Sequence, residues 1–120
     1  MNLNDYSDEC HYDSVAAGWW DNSQDTKGDY DPHILATKLC LVHSEVSEAL
    51  EGLRKGGKDD HLPQYDQEDV EIVDALIRLF DYAGARGIDL EAIYQEKREY
   101  NKKRADHKPE NRALKGGKKF

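Results

Sequence analysis

The stretch Leu39-Cys40-Leu41-Val42-His43-Ser44-Glu45-Val46-Ser47-Glu48-Ala49-Leu50-Glu51-Gly52-Leu53 decides the fold. At about 100° per residue, Leu35, Leu39, Val42, Val46, Ala49 and Leu53 fall on one apolar stripe of a helix. That helix is expected from about His33 to Arg54, stopped by Gly56-Gly57. Downstream, Val70, Val73, Leu76, Ile77, Leu79, Phe80 and Ala83 give a broad core face. They predict a helix over 67–85 that stops at Arg86-Gly87. Upstream, Leu3, Tyr6, Cys10, Val15, Ala16, Trp19 and Trp20 predict a first helix over 3–20, followed by a polar loop over 21–32. Asp89 can cap a fourth helix reaching about Arg104. No apolar-polar alternation is long enough for a sheet. The chain therefore reads as all-α, an antiparallel bundle of about four helices, with a helical domain over 1–104 and a basic tail over 105–120.

The chain has 120 residues, one domain's worth, and a single modest core is all it can bury. Oligomerisation is the expected way to add buried surface. No apolar run is long enough for a membrane span. The opening Met1-Asn2-Leu3-Asn4-Asp5 lacks the basic and apolar regions of a signal peptide. Cys10 and Cys40 do not make a disulfide framework, so a reduced, cytoplasmic setting is expected. The net charge is −8, and it is unevenly spread: 97–120 carries +7, leaving −15 on 1–96. So acidic a body repels a nucleic-acid duplex. A bound cation would reverse the sign locally.

The acids have a pattern. Glu45 and Glu48 lie on the shoulder of the second helix's stripe, in the sector of Ile34, Leu41 and Gly52. At i and i+3 they face the same way. Glu71 and Asp74 repeat this at the edge of the third helix's core face, with Arg78 and Asp81. Either pair alone is ordinary helix surface, and Asp74 with Arg78 could be a simple surface ion pair. Two pairs beside the core on consecutive antiparallel helices can converge on hard divalent cations. Oxygen-only ligands favour magnesium or manganese over zinc. There is no Glu-x-x-His pair for a di-iron bundle and no Cys/His cluster with zinc spacing. Asp21, Ser23 and Asp25 have calcium-loop spacing, but Thr26 stands where that loop requires Gly. On the fourth helix the line Leu90, Ile93, Tyr94 continues as Lys97, Asn101 and Arg104. It is either a helix that has outrun the core or a set of donors for phosphate.

The pattern Glu45-x-x-Glu48, 22 residues, then Glu71-x-x-Asp74 resembles the signature of the MazG-like all-α nucleoside triphosphate pyrophosphohydrolases. Gly18-Trp19-Trp20-Asp21, Asp81-Tyr82, Glu96-Lys97 with Tyr100-Asn101 and Arg104, and Gly116-Gly117-Lys118-Lys119-Phe120 resemble its small bacterial and phage branch. Ser44 stands where many members have a further acid, and Lys115 where a His is common. The resemblance implies magnesium-dependent hydrolysis of a (deoxy)nucleoside triphosphate to monophosphate and pyrophosphate, in nucleotide-pool control. It implies a homodimer or homotetramer that completes the bundle. Carried over, Glu45, Glu48, Glu71 and Asp74 are the magnesium ligands, with Glu45 or Glu48 taking the water's proton. Lys97, Asn101, Arg104 and, less centrally, Arg78 would hold phosphates. Trp20, or Trp19 at another helix phase, would stack on the base. The alternatives are a narrower substrate (dUTP, dCTP or phosphoribosyl-ATP) or a catalytically silent helical interaction module.

Overall fold

The computed structural model describes residues 1–20 and 30–120. The predicted loop at 21–29, with the rejected calcium motif, lies outside them. Four main helices are present: α1 (Leu3–Ala16), α2 (Pro32–Lys55), α3 (Gln67–Arg86) and α4 (Leu90–Lys103). A 3-10 turn (Ala105–His107) and one helical turn, α5 (Pro109–Arg112), follow. Among the described residues there is no strand. An isolated bridge joins Lys58 to Asp66 in the α2–α3 loop. No helix of the described residues is long and apolar enough to cross a membrane.

Local chemistry sets the helix ends. The Asn2 side chain accepts from the backbone N–H of Asn4 and Asp5, and Asp5 accepts back from Asn2 N–H, a reciprocal cap at the start of α1. α1 stops at Ala16, four residues short of the expectation. Gly18 takes φ 83°, and Trp19 N–H reaches back to the Ser14 carbonyl, so the chain turns away before the tryptophans. Asp31 caps α2 through His33 N–H, with Pro32 in the first turn. Gly56 and Gly87 close α2 and α3 in the left-handed region. Asp89 caps α4 by accepting from Ala92 N–H, as its sequence position suggests.

The chain divides into two compact units, Met1–Ile88 and Asp89–Phe120. In the first, α3 is the central helix. It packs on both α1 and α2. α2 is antiparallel to it: Gly52 lies against Gln67 and Glu68, and Glu45 against Arg78. α1 runs parallel to it: Tyr6 and Ser7 meet Phe80, and His11 meets Asp81 and Gly84. A methyl group on Gly84 would come within 2.7 Å of His11 Cβ, so only glycine permits this crossing.

The core corrects one expectation. Its buried apolar residues are Trp20, Ala49, Ala75, Ala83 and Ala85, and no large side chain among the described residues is fully buried. Much of the α2 stripe turns away from α3: Leu39, Val46 and Leu53 are 41–61% exposed, Leu35 and Val42 are half-buried, and Ala49 is buried. On α3, Val73, Leu76, Ile77 and Leu79 are also exposed. The helices touch through small residues instead, because Ala49, Gly52 and Ala75 let the backbones approach closely. The sector of α2 that turns inward is the shoulder holding Glu45. With the two helices antiparallel, Leu39, Val46, Leu50 and Leu53 of α2 and Ile72, Leu76 and Leu79 of α3 turn to one side of the hairpin. Glu48 and Asp74 turn to the other.

In the second unit α4 buries no residue completely. Lys97 and Arg104 both lie over the Tyr100 ring, at 4.8 and 5.9 Å. Residues 105–112, a tail by composition, fold locally. Arg104 donates twice to Asp106 (3.0 and 2.8 Å), Lys118 joins it at 3.0 Å, and Asn111 Nδ2 donates to the Ala105 carbonyl.

Candidate metal centre

Glu45 comes from the middle of α2, and Glu71 and Asp74 from successive turns at the start of α3. The antiparallel register brings one oxygen of each within 4.8 Å of the others. Glu45 is buried and the other two are half-buried. The spacing within α3 is the i, i+3 pair of the sequence, so the two acids lie on one face. Glu48, one turn on from Glu45, is exposed at the rim yet near enough to act on Glu71.

The electrostatics are those of a site short of positive charge. Burial pushes the Glu71 carboxyl up to about 8, helped by hydrogen bonding with Glu45 and Glu48 and by their charges. Burial also raises Asp74, with the charges of Glu45 and Asp59 adding to it. Glu45 goes the other way. Burial works to raise it, but the hydrogen bond from Arg78, with those involving Glu71 and Glu48, outweighs burial and holds it below its ordinary value. Arg78 Nε donates to Glu45 Oε1 at 2.8 Å. Arg78 therefore crosses to α2 rather than pairing with Asp74 along its own helix. Glu71 Oε2 is buried without a hydrogen-bond partner. Facing carboxylates this close require a shared proton or a cation between them. All donors are hard oxygens, the set that suits magnesium or manganese.

A cavity of about 620 Å³ opens beside the cluster. Glu45, Asp74 and Arg78 line one part of it, and Trp19, Trp20, Lys38 and Asp81 another. The two tryptophans diverge. Trp20 is 5% exposed, and its indole N–H donates to Asp81 Oδ1 at 2.9 Å. His11 Nδ1 lies 2.8 Å from the same oxygen. Lys38 Nζ covers the Trp20 ring at 4.5 Å and donates to the Trp19 carbonyl. Burial beside the indole lowers the Lys38 ammonium, and the Arg78 charge lowers it further while Asp81 opposes. Trp19 is 71% exposed and is the indole with a free face. The shortened α1 is the helix-phase shift that exchanges the two rings.

Glu45, Glu71, Asp74, Arg78 and Trp20 thus share one region. Lys97, Asn101 and Arg104 belong to the second unit, where Arg104 is engaged by Asp106 and Asn101 Oδ1 is buried without a partner. Sequence reasoning passed over Lys38 and the anchoring role of Asp81. Both carried a signal: each lies seven residues, two helical turns, from a cluster acid, Lys38 before Glu45 and Asp81 after Asp74. No family model matches the chain, and no curated protein and no solved structure matches it.

Proposed function

We propose that this protein is a magnesium-dependent nucleoside triphosphate pyrophosphohydrolase. The observation that carries this reading is the convergence of Glu45, Glu71 and Asp74, partnered by one guanidinium, at the edge of a cavity lined by an exposed indole. The ordered Glu45-x-x-Glu48 … Glu71-x-x-Asp74 pattern, with its resemblance to the MazG-like enzymes, supports the same reading. Glu45, Glu71 and Asp74, with Glu48 at the rim, would hold the ion. Magnesium there supplies charge neutralisation and Lewis acidity toward phosphate oxygens. Of Glu45 and Glu48, the exposed Glu48, which Arg78 does not engage, would accept the proton of an attacking water. Trp19 offers a stacking face for the base, and Trp20 forms the wall behind it.

The reading includes a second copy of the chain over the apolar side of the α2–α3 hairpin. Leu50 and Leu53 there are 57% and 61% exposed, and among the described residues the buried apolar core is four alanines and one tryptophan. A chain this small needs that surface covered. Val46→Glu or Leu76→Glu should convert the dimer to a monomer in sedimentation velocity.

The deciding experiment is product analysis on a panel of ribo- and deoxyribonucleoside triphosphates, with and without magnesium. Monophosphate and pyrophosphate, formed only with the metal, are expected. Orthophosphate as the first product, or no turnover on any substrate, refutes the assignment.

A further inference from the structure

Arg78 is placed strangely for a substrate residue. It spends its Nε on Glu45 Oε1 (2.8 Å), a carboxylate that belongs to the proposed metal cluster. The partners differ in access: the Glu45 side chain is 10% exposed and Arg78 41%. The buried acid is fixed, while the arginine reaches it from the cavity wall. Among the described residues, its two Nη groups have no hydrogen-bond partner. The guanidinium therefore stands where positive charge is wanted, held by a single hydrogen bond along one edge.

We propose that Arg78 is the cluster's resident cation, which gives up Glu45 when a divalent ion binds and turns its guanidinium to the phosphates of the substrate. The inference rests on the pyrophosphohydrolase reading and adds an order of events to it. Without the ion, Arg78 is the charge partner of the buried Glu45 carboxylate. With the ion, the same carboxylate has a stronger partner, and the freed planar fork matches two phosphate oxygens. Arg78 thus competes with the metal and cooperates with the nucleotide.

Those two roles have opposite signs, which makes them separable. Calorimetric titration of manganese into the nucleotide-free protein measures the first, and pyrophosphate release measures the second. Arg78→Gln should bind manganese about tenfold more tightly or better, since one neighbouring positive charge is gone. The same variant should melt at a lower temperature without metal, gain more from added metal than the parent does, and lose turnover. Arg78→Lys, which keeps the charge and loses the fork, should bind manganese like the parent and still turn over poorly. Manganese binding to Arg78→Gln that is unchanged or weaker, with metal-dependent turnover intact in the parent, overturns the inference alone. A parent protein that binds no manganese overturns the pyrophosphohydrolase reading and this inference together.

Discussion

The two seams along α3 are built on different terms. Toward α1, every buried polar group named above has found a partner. Ser7 Oγ donates to the Phe80 carbonyl at 2.6 Å, and Asp81 takes both His11 and the Trp20 indole. Toward α2, three carboxylates meet one guanidinium, and Glu71 Oε2 has no partner. The first seam is closed by the chain's own side chains. The second is left short of positive charge among the described residues, and its three acids could hold a metal ion. A seam that holds structure satisfies its polar groups; a seam that holds a ligand leaves them owed.

Removing a ligand should break the contrast most sharply. Glu45→Ala, Glu71→Ala or Asp74→Ala should each cost about 100-fold or more in kcat/KM, since even outer-shell partners of a metal are worth 10- to 100-fold. Each should also abolish the rise in Tm that magnesium produces by mass action. If that rise survives all three, the ion binds elsewhere.

The open seam should also announce itself in pH. Folded, Glu71 keeps its proton up to about 8; unfolded, it loses it near 4.5. Between those values the native state binds the extra proton, so metal-free stability should fall as pH rises through that window and level off above it. Glu71→Gln should flatten the dependence in melting curves. Magnesium prefers the ionised cluster, so its stabilisation should grow over the same range.

Smaller effects test the cavity and the closed seam. Trp19→Ala should raise KM about tenfold with kcat little changed, as expected for a lost stacking face worth ~1–3 kcal/mol. Ser7→Ala should cost about 1 kcal/mol in denaturant unfolding, by removing the buried hydrogen bond to the Phe80 carbonyl, and should not alter metal affinity. A change in metal affinity there would join the two seams and erase the contrast.

The helices were legible in the sequence because their ends carry chemistry of their own. Gly56-Gly57, Arg86-Gly87 and Asp89 each act within one turn of chain. Which sector of α2 turns inward was not legible. Apolar periodicity weighs Leu39, Val46 and Leu53 heavily and Gly52 hardly at all. The inter-helix contact reverses that weighting, because close approach rewards small side chains. The acid pairs were legible as pairs, since i, i+3 spacing fixes a common face. Arg78 was open to a local partner at i−4, and only the fold could send it across to Glu45. Trp19 and Trp20 exchanged places for a similar reason: a glycine at φ 83° ends α1 before them, and periodicity does not register that.

That exchange gives the molecule an optical instrument. Two indoles adjacent in the chain sit in unlike surroundings, Trp20 packed beside His11 and Lys38, Trp19 open to solvent at the cavity mouth. Their fluorescence should separate into a blue-shifted, quenched component and a red-shifted one. A molecule entering the cavity dims the second and leaves the first, whereas unfolding merges the two. Occupancy and integrity can then be followed in one cuvette, with no label added.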